Sequence, residues 1–317
     1  MSALTLLTGA TGFIGRHVLT RLLEDGERVR VLVRRPELLP PVVAARVEIV
    51  RGDLRDPPSL ARAVAGADTV LHLAACARAW SPDPNEFRAV NLRAVAALLE
   101  AVERYGIGRL VHVSTVLTLT RPRDRALTPY EETKLAGERL VERSGHGIIV
   151  HPTRVYGPGP LNDANGVTKV IALYLAGRFR VRLDDGDVQA NYVHVGDVAG
   201  AILSAARRGV TGAHYLLYGE NASMRGLLEK VARLSGTRRR VLRVRPQVAV
   251  AAAGAAELAG RIGVPVPITR NWVRLFLEDQ RVVAEDGWIA PGYVPRGLDV
   301  GLAQTLAWLR SAERSAA

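Results

Sequence analysis

The chain of 317 residues carries a single cysteine, Cys76. One thiol cannot close an internal disulfide, so a secreted scaffold held by cystines is excluded and a reducing cytoplasm is the expected compartment. No cysteine pair is present and the seven histidines are dispersed, so no metal is expected. Lysine is nearly missing as well: of 43 Lys and Arg residues only Lys134, Lys169 and Lys230 are lysines. Long apolar runs are also absent. The stretch Val248 to Val266 is interrupted by Glu257, Arg261 and Pro265, too short and too charged for a bilayer core of roughly 30 Å, and an amphipathic helix is expected there instead of a membrane span. Met1 to Thr8 lacks the basic start of a signal peptide and runs into a glycine-rich turn, so it is expected to be a first strand. There is no internal repeat and no low-complexity linker.

An apolar content of 48% supports a sizeable core, and the length suggests two structural units at roughly 150 residues each. The net charge of +12 raises nucleic acid as a partner, but most arginines lie singly among acids and apolar residues. A phosphate-backbone site gathers them on one face, so no nucleic-acid role is expected and most arginines are read as surface.

Short β-branched runs alternate with helix-period segments through the first half. Strands are expected at Ala3 to Thr8, Arg28 to Val33, Val47 to Val50, Thr69 to Leu73, Leu110 to Ser114 and Ile148 to His151. Helices are expected at Phe13 to Asp25, after Asp56, at Glu86 to Tyr105 and at Pro129 to Arg143. This order predicts an α/β fold, a doubly wound parallel sheet of the Rossmann type with a smaller, mainly helical C-terminal domain. Residues 1–155 are expected to form the first, sheet-bearing domain. A strand Asn191 to Val195, a helix Asp197 to Arg207 and a strand Ala213 to Leu217 return to it over about 188–219, and 156–187 with 220–317 form the substrate domain.

Thr8-Gly9-Ala10-Thr11-Gly12-Phe13-Ile14-Gly15 lies between a predicted strand and a predicted helix. Gly9 permits the tight turn, Gly12 lets backbone approach a pyrophosphate, and Gly15 lets the helix pack against the strand. The helix N-terminus offers N–H groups to the phosphates, and Gly9, Thr11, Gly12, Phe13, Ile14 and Gly15 are the expected contacts. At the end of the second strand an NAD-binding chain places an acid for the ribose 2′-OH. Here Val33-Arg34-Arg35-Pro36 stands instead, and Arg34, with Arg35 beside it, suits a 2′-phosphate. NADP is the expected cofactor, NAD the lesser alternative, and a solvated strand-end arginine the structural one.

These motifs resemble those of the extended short-chain dehydrogenase/reductase family. The resemblance implies that Asp53 and Leu54, in Gly52-Asp53-Leu54, lie near the adenine, and that Leu73, Ala74 and Ala75 run along the cofactor. Asn91 matches a mid-helix asparagine of the family. Pro152 is expected at the nicotinamide side; the family commonly has arginine where this chain has His151, and no role is carried over to it. The resemblance also implies a homodimer.

Tyr130-Glu131-Glu132-Thr133-Lys134 sets a phenol and an ammonium four residues apart on one helix face. Eight tyrosines and three lysines give about 0.08 such pairs by chance. A nearby ammonium favours the ionised phenol, so Tyr130 is expected to be the general acid/base and Lys134 its tuner and a ligand for the nicotinamide ribose. Thr115 matches the family position that orients the substrate oxygen, with Ser114 the fallback. No Asp-Glu pair follows Thr115, which disfavours 4,6-dehydration. Only 15 positions separate it from Tyr130, as if a substrate-covering loop were trimmed.

The expected activity is NADP-dependent reduction of a carbonyl or oxidation of a secondary alcohol. The segment Ala74 to Asn91 and the run Arg238 to Ala256 look like the dihydroflavonol reductase, 3β-hydroxysteroid dehydrogenase and hopanoid-associated epimerase branch. A nucleotide-sugar epimerase is the alternative, in which Arg238 to Arg245 would grip a diphosphate. A non-catalytic NADP-binding module would not need Thr115, Tyr130 and Lys134 together.

Overall fold

Side-chain alternation in the buried strands sorts the core into two layers. In the computed structural model, which describes residues 3–316 apart from 79–80, 82, 84, 120–126, 184–187, 261–262 and 265–268, β1 (Leu4–Thr8) is buried along its whole length. Successive side chains point to opposite faces, so Leu6 and Leu7 enter different apolar clusters. The chain continues through α1 (Phe13–Glu24), β2 (Arg28–Val33), α2 (Pro41–Ala44), β3 (Glu48–Arg51), α3 (Pro57–Val64), β4 (Thr69–His72) and α4 (Asn85–Arg88). Next come α5 (Ala94–Arg104), β5 (Arg109–Val113), α6 (Pro129–Ser144), β6 (Gly147–Pro152), β7 (Arg154–Tyr156), α7 (Gly166–Leu175), β8 (Val181–Arg182) and β9 (Gln189–His194). The remainder comprises α8 (Val195–Arg208), β10 (His214–Leu217), β11 (Glu220–Ser223), α9 (Met224–Ser235), β12 (Leu242–Arg243), α10 (Pro246–Gly260), α11 (Arg270–Leu277) and α12 (Leu298–Ala316).

Seven strands form a parallel sheet in the order β10-β6-β5-β4-β1-β2-β3. One face packs Leu7, Val31 and Val111 against Val18 and Leu22 of α1 and Ile202 of α8. The other packs Leu6, Val70 and Leu110 against Leu60 of α3, Leu98 and Val102 of α5 and Val141 of α6. Strand order reverses between β1 and β4, which opens a crevice beyond their C-terminal ends, where doubly wound sheets bind ligands. A third core joins Tyr156, Ile171, Tyr174, Tyr192, Leu227 and Val231 to Leu302 and Leu306 of α12.

Three expectations are corrected. The strand expected at Asn191 to Val195 does not rejoin the large sheet: β9 pairs in parallel with β7 and antiparallel with β11 in a separate three-stranded sheet. Only α8 and β10 return. The helix expected over Glu86 to Tyr105 is divided, since a π-helical turn at Ala89–Arg93 separates α4 from α5. Nor are all the other arginines surface groups. Arg154 is half-buried over the Phe276 ring, 5.0 Å from its centre, and donates to Gln280.

α6 illustrates how local sequence positions chemistry. Thr128 accepts from the Glu131 N–H at 3.2 Å while Glu131 returns a bond to the Thr128 N–H at 2.7 Å. Pro129 occupies the first turn and Gly145, at φ 69°, ends the helix in a conformation that favours glycine. The trimmed loop expected before this helix falls largely on 120–126, outside the described residues.

Candidate active site

The glycine turn is forced by its surroundings. Gly9 has φ 77°, and a Cβ there would lie 2.8 Å from the Ala74 nitrogen; a Cβ on Gly15 would overlap the Gly9 carbonyl. α1 begins at Gly12 with no side-chain cap, leaving first-turn N–H groups directed into the crevice end. This uncapped helix start over a tight glycine turn fits a dinucleotide diphosphate. The turn is stitched to the end of β4, because Thr8 Oγ1 lies 2.9 Å from His72 Nδ1 and accepts from the Ala74 N–H at 3.3 Å. Leu73, Ala74 and Ala75 therefore border the turn. Gly15→Ala is expected to lower dinucleotide affinity more than tenfold, measured by titration of cofactor fluorescence. Retained affinity would show that the turn relaxes around a methyl group.

At the tip of β2 the side chain of Arg34 is 63% exposed, with Nη1 3.9 Å from Asp53 Oδ2. Asp53 is engaged by Arg55 through the guanidinium, at 2.7 and 3.0 Å, and through its N–H at 2.9 Å. Those bonds hold the Asp53 carboxyl below the ordinary range. Arg55 is thus spent on Asp53, and Arg34 and Arg35 are exposed cationic groups at the same corner.

Thr115, Tyr130 and Lys134 come together beyond β5. The Thr115 side chain lies beside the Tyr130 hydroxyl, and Lys134, only 3% exposed, donates from Nζ to the Val113 carbonyl at 2.7 Å. The sequence pairing predicts a lowered phenol, but burial pushes Tyr130 up to about 12, with the neighbouring Thr115 hydroxyl opposing. Burial also lowers Lys134 to about 8, while the Glu138 carboxylate acts to raise it. Ser114, the fallback hydroxyl, is committed elsewhere: its Oγ donates to Glu138 Oε2 at 2.5 Å.

Asn91 sits in the π-helical turn and clamps the loop after β4 to α6. Its Oδ1 accepts from the Cys76 N–H at 2.8 Å, and its Nδ2 donates to the Cys76 carbonyl at 3.1 Å and to Thr133 Oγ1 at 3.2 Å. Gly137 permits this close approach, since a Cβ there would overlap the Asn91 carbonyl. On the nicotinamide side expected for Pro152, that residue ends β6, buried and paired with Leu217.

Sequence reasoning missed the polar cluster behind Lys134. Glu138 lies one helical turn further along α6 and is 3% exposed, with Oε2 3.7 Å from His151 Nδ1. His151 Nε2 lies 3.0 Å from His214 Nδ1, whose other ring nitrogen is 3.4 Å from Glu142. Histidines dispersed in sequence are gathered by adjacent strands, and donor atoms of Glu138, His151 and His214 lie within 4.8 Å of one another. The two ring planes are within 16° of parallel, and the Nε2–Nδ1 contact makes them hydrogen-bond partners of each other. A cavity of about 390 Å³ opens over Glu138, Glu142, His214 and Trp288. The four-residue spacing from Lys134 was the available signal for Glu138.

A switch-point crevice, a glycine turn and a Tyr-Lys helix define a dinucleotide-dependent enzyme class. The sequence profile of the NAD-dependent epimerase/dehydratase family matches residues 5–217, and the chain belongs to that family, within the extended short-chain dehydrogenase/reductases. It is 30% identical to the 4-hydroxy-2-methyl-3-oxo-4-farnesyl-3,4-dihydroquinoline-1-oxide ketoreductase of Stigmatella aurantiaca, covering 93% of this chain and 94% of that one. It is also 30% identical to a 3β-hydroxysteroid dehydrogenase/Δ5→4-isomerase of Mycobacterium tuberculosis, over 88% and 83% of the two chains. Among solved structures, the UDP-glucose 4-epimerase of Thermus thermophilus, a complex with NAD, superposes with a TM-score of 0.74 at 26% identity, covering 98% of this chain and 99% of that one. The family comprises NAD(P)-dependent oxidoreductases and epimerases.

Proposed function

We propose that the protein is an NADP-dependent reductase of a small-molecule carbonyl, or in reverse a dehydrogenase of the secondary alcohol. The observation that carries this reading is the gathering of Thr115 beside Tyr130 at the end of β5, with Lys134 buried one turn further along the same helix and bonded to the Val113 carbonyl. Gly9, Thr11, Gly12, Phe13, Ile14 and Gly15 would hold the diphosphate, Arg34 and Arg35 the 2′-phosphate, Asp53 and Leu54 the adenine end, and Leu73, Ala74, Ala75 and Pro152 the rest of the dinucleotide. Bound NADPH supplies a hydride to the carbonyl carbon. Thr115 orients the carbonyl oxygen, and Tyr130, which keeps its proton at neutral pH, delivers it to that oxygen. Lys134 holds the nicotinamide ribose and keeps a positive charge beside the phenolate that forms. The third core, around Tyr156 and α12, is the unit proposed to hold the substrate, and α5 with α6 are proposed to pair two subunits.

Epimerisation of a nucleotide sugar is the second reading, favoured by the likeness to the NAD complex of the Thermus epimerase. Extraction of the cofactor and assay with a carbonyl panel separate the two. Reduction predicts multiple-turnover consumption of NADPH, with Arg34→Glu raising KM for NADPH about tenfold or more and leaving NADH nearly unchanged. Tightly held NAD that stays in one redox state while a sugar nucleotide is inverted would replace this proposal with the second.

A further inference from the structure

α10 is an apolar helix that packs along one side on α11 and leaves much of the rest of its surface open. Of its fifteen residues only Ala253 is buried, and its single charged residue, Glu257, is tied to Arg270 of α11 at 2.6 and 2.7 Å. Val248, Ala251, Ala252, Ala255 and Leu258 are all exposed and share one helical face. Val248 and Leu258 are 58% and 64% exposed, and the neighbouring strand residue Leu242 is 55% exposed. A helix apolar over its outward face normally meets another element or lipid.

The flanking charge says which. No Asp or Glu occurs between Glu229 and Glu257, whereas Arg238, Arg240 and Arg245 stand exposed along the approach to the helix. Arg239 between them is held by its guanidinium on the Leu175 carbonyl, at 3.0 and 3.2 Å. Three aspartates at 184, 185 and 187 are the acids nearest in sequence to β8. A second copy docked on this face by two-fold symmetry would bring its own arginines against these, like against like. A polyanion such as RNA would meet Arg238, Arg240 and Arg245 but leave Val248 and Leu258 in water.

We propose that α10 and the arginines preceding it form a peripheral docking surface for an anionic lipid bilayer, with the Val248–Leu258 face seated at the boundary between headgroups and acyl chains and the guanidinium groups on lipid phosphates. The inference rests on surface chemistry alone and stands or falls separately from the reaction proposed above. None of these residues belongs to the Thr115, Tyr130 and Lys134 site, and docking would set the C-terminal part of the chain at the lipid surface.

The test is flotation of the full chain with vesicles of phosphatidylcholine, with and without phosphatidylglycerol. Binding is expected only to the vesicles containing phosphatidylglycerol and should fall with added salt. Each of Arg240→Gln and Arg245→Gln should weaken it roughly fivefold. Val248→Asp combined with Leu258→Asp should abolish it, with circular dichroism and dinucleotide binding unchanged. Should that double variant lose its fold, the arginine variants decide the outcome by themselves. Absence of binding to either vesicle overturns the proposal, as does binding indifferent to the arginine variants or to a folded aspartate double variant. A dimer by light scattering that Val248→Asp dissociates, without vesicle binding, would assign the face to a second copy.

Discussion

Tyr130→Phe is expected to lower kcat for carbonyl reduction by roughly 10²–10⁴-fold while leaving dinucleotide affinity and the fold intact. The ring remains, so packing at the start of α6 is preserved; only the hydroxyl beside Thr115 is lost. Thr115 Oγ1 still accepts from the Leu117 N–H, at 3.4 Å, so its orientation survives. The pH profile adds a sharper signature. Tyr130, pushed up to about 12 by burial, stays protonated through the working range, whereas Lys134, lowered to about 8, does not. Reduction by the wild type is therefore expected to fall as pH rises through about 8, as the ammonium is lost. Glu138→Gln removes the nearby negative charge that acts to raise Lys134, so the alkaline limb should move to lower pH. Stopped-flow oxidation of NADPH against pH reads both effects. An unimpaired Tyr130→Phe enzyme would remove the phenol from the chemistry, and a limb indifferent to Glu138→Gln would detach it from Lys134.

The elements around the glycine turn were legible because each carries its own local signal. Gly9 and Gly15 do what their spacing implies, and the large parallel sheet follows from strands alternating with helices. What sequence could not convey is which edge a strand joins. β9 has the same β-branched and aromatic character as a strand of the large sheet, yet it pairs with β7 and β11 because Tyr192 enters the core built on Tyr156 and α12. Long-range polar juxtapositions were equally hidden. His151 and His214 are separated by 63 positions and meet only because β6 and β10 are neighbours. The π-helical turn at Ala89–Arg93 has no compositional mark; its reason is the Asn91 clamp on Cys76, which a regular helix would point elsewhere.

Acid is expected to unfold the protein steeply between about pH 6 and pH 4, because four buried histidines must be neutral in the folded state. Burial lowers His72 and His151 to about 3 and His194 to about 4, and drives His112 well below its ordinary value. The causes are structural: His72 and His112 lie side by side on β4 and β5, their rings 5.3 Å apart, near the Lys134 charge. The buried Nε2 atoms of His72, His112 and His194 have no hydrogen-bond partner among the described residues to stabilise an added proton. The sign follows from folded pKa values below the unfolded value near 6.5. Stability from these groups is fully present above 6.5 and is lost as pH falls toward 4 and 3, since the unfolded chain binds protons that the folded chain refuses. Four such sites give a slope of up to ~5 kcal/mol per pH unit near pH 5, enough to consume a typical domain stability of about 5–15 kcal/mol within one to three units. Urea unfolding at a series of pH values measures this slope. His112→Phe replaces one titrating ring by an apolar one of similar shape, and should reduce the slope by ~1.4 kcal/mol per pH unit. A wild-type stability flat from pH 6.5 to 5 would mean that these rings gain water or counter-charges on protonation without unfolding the sheet.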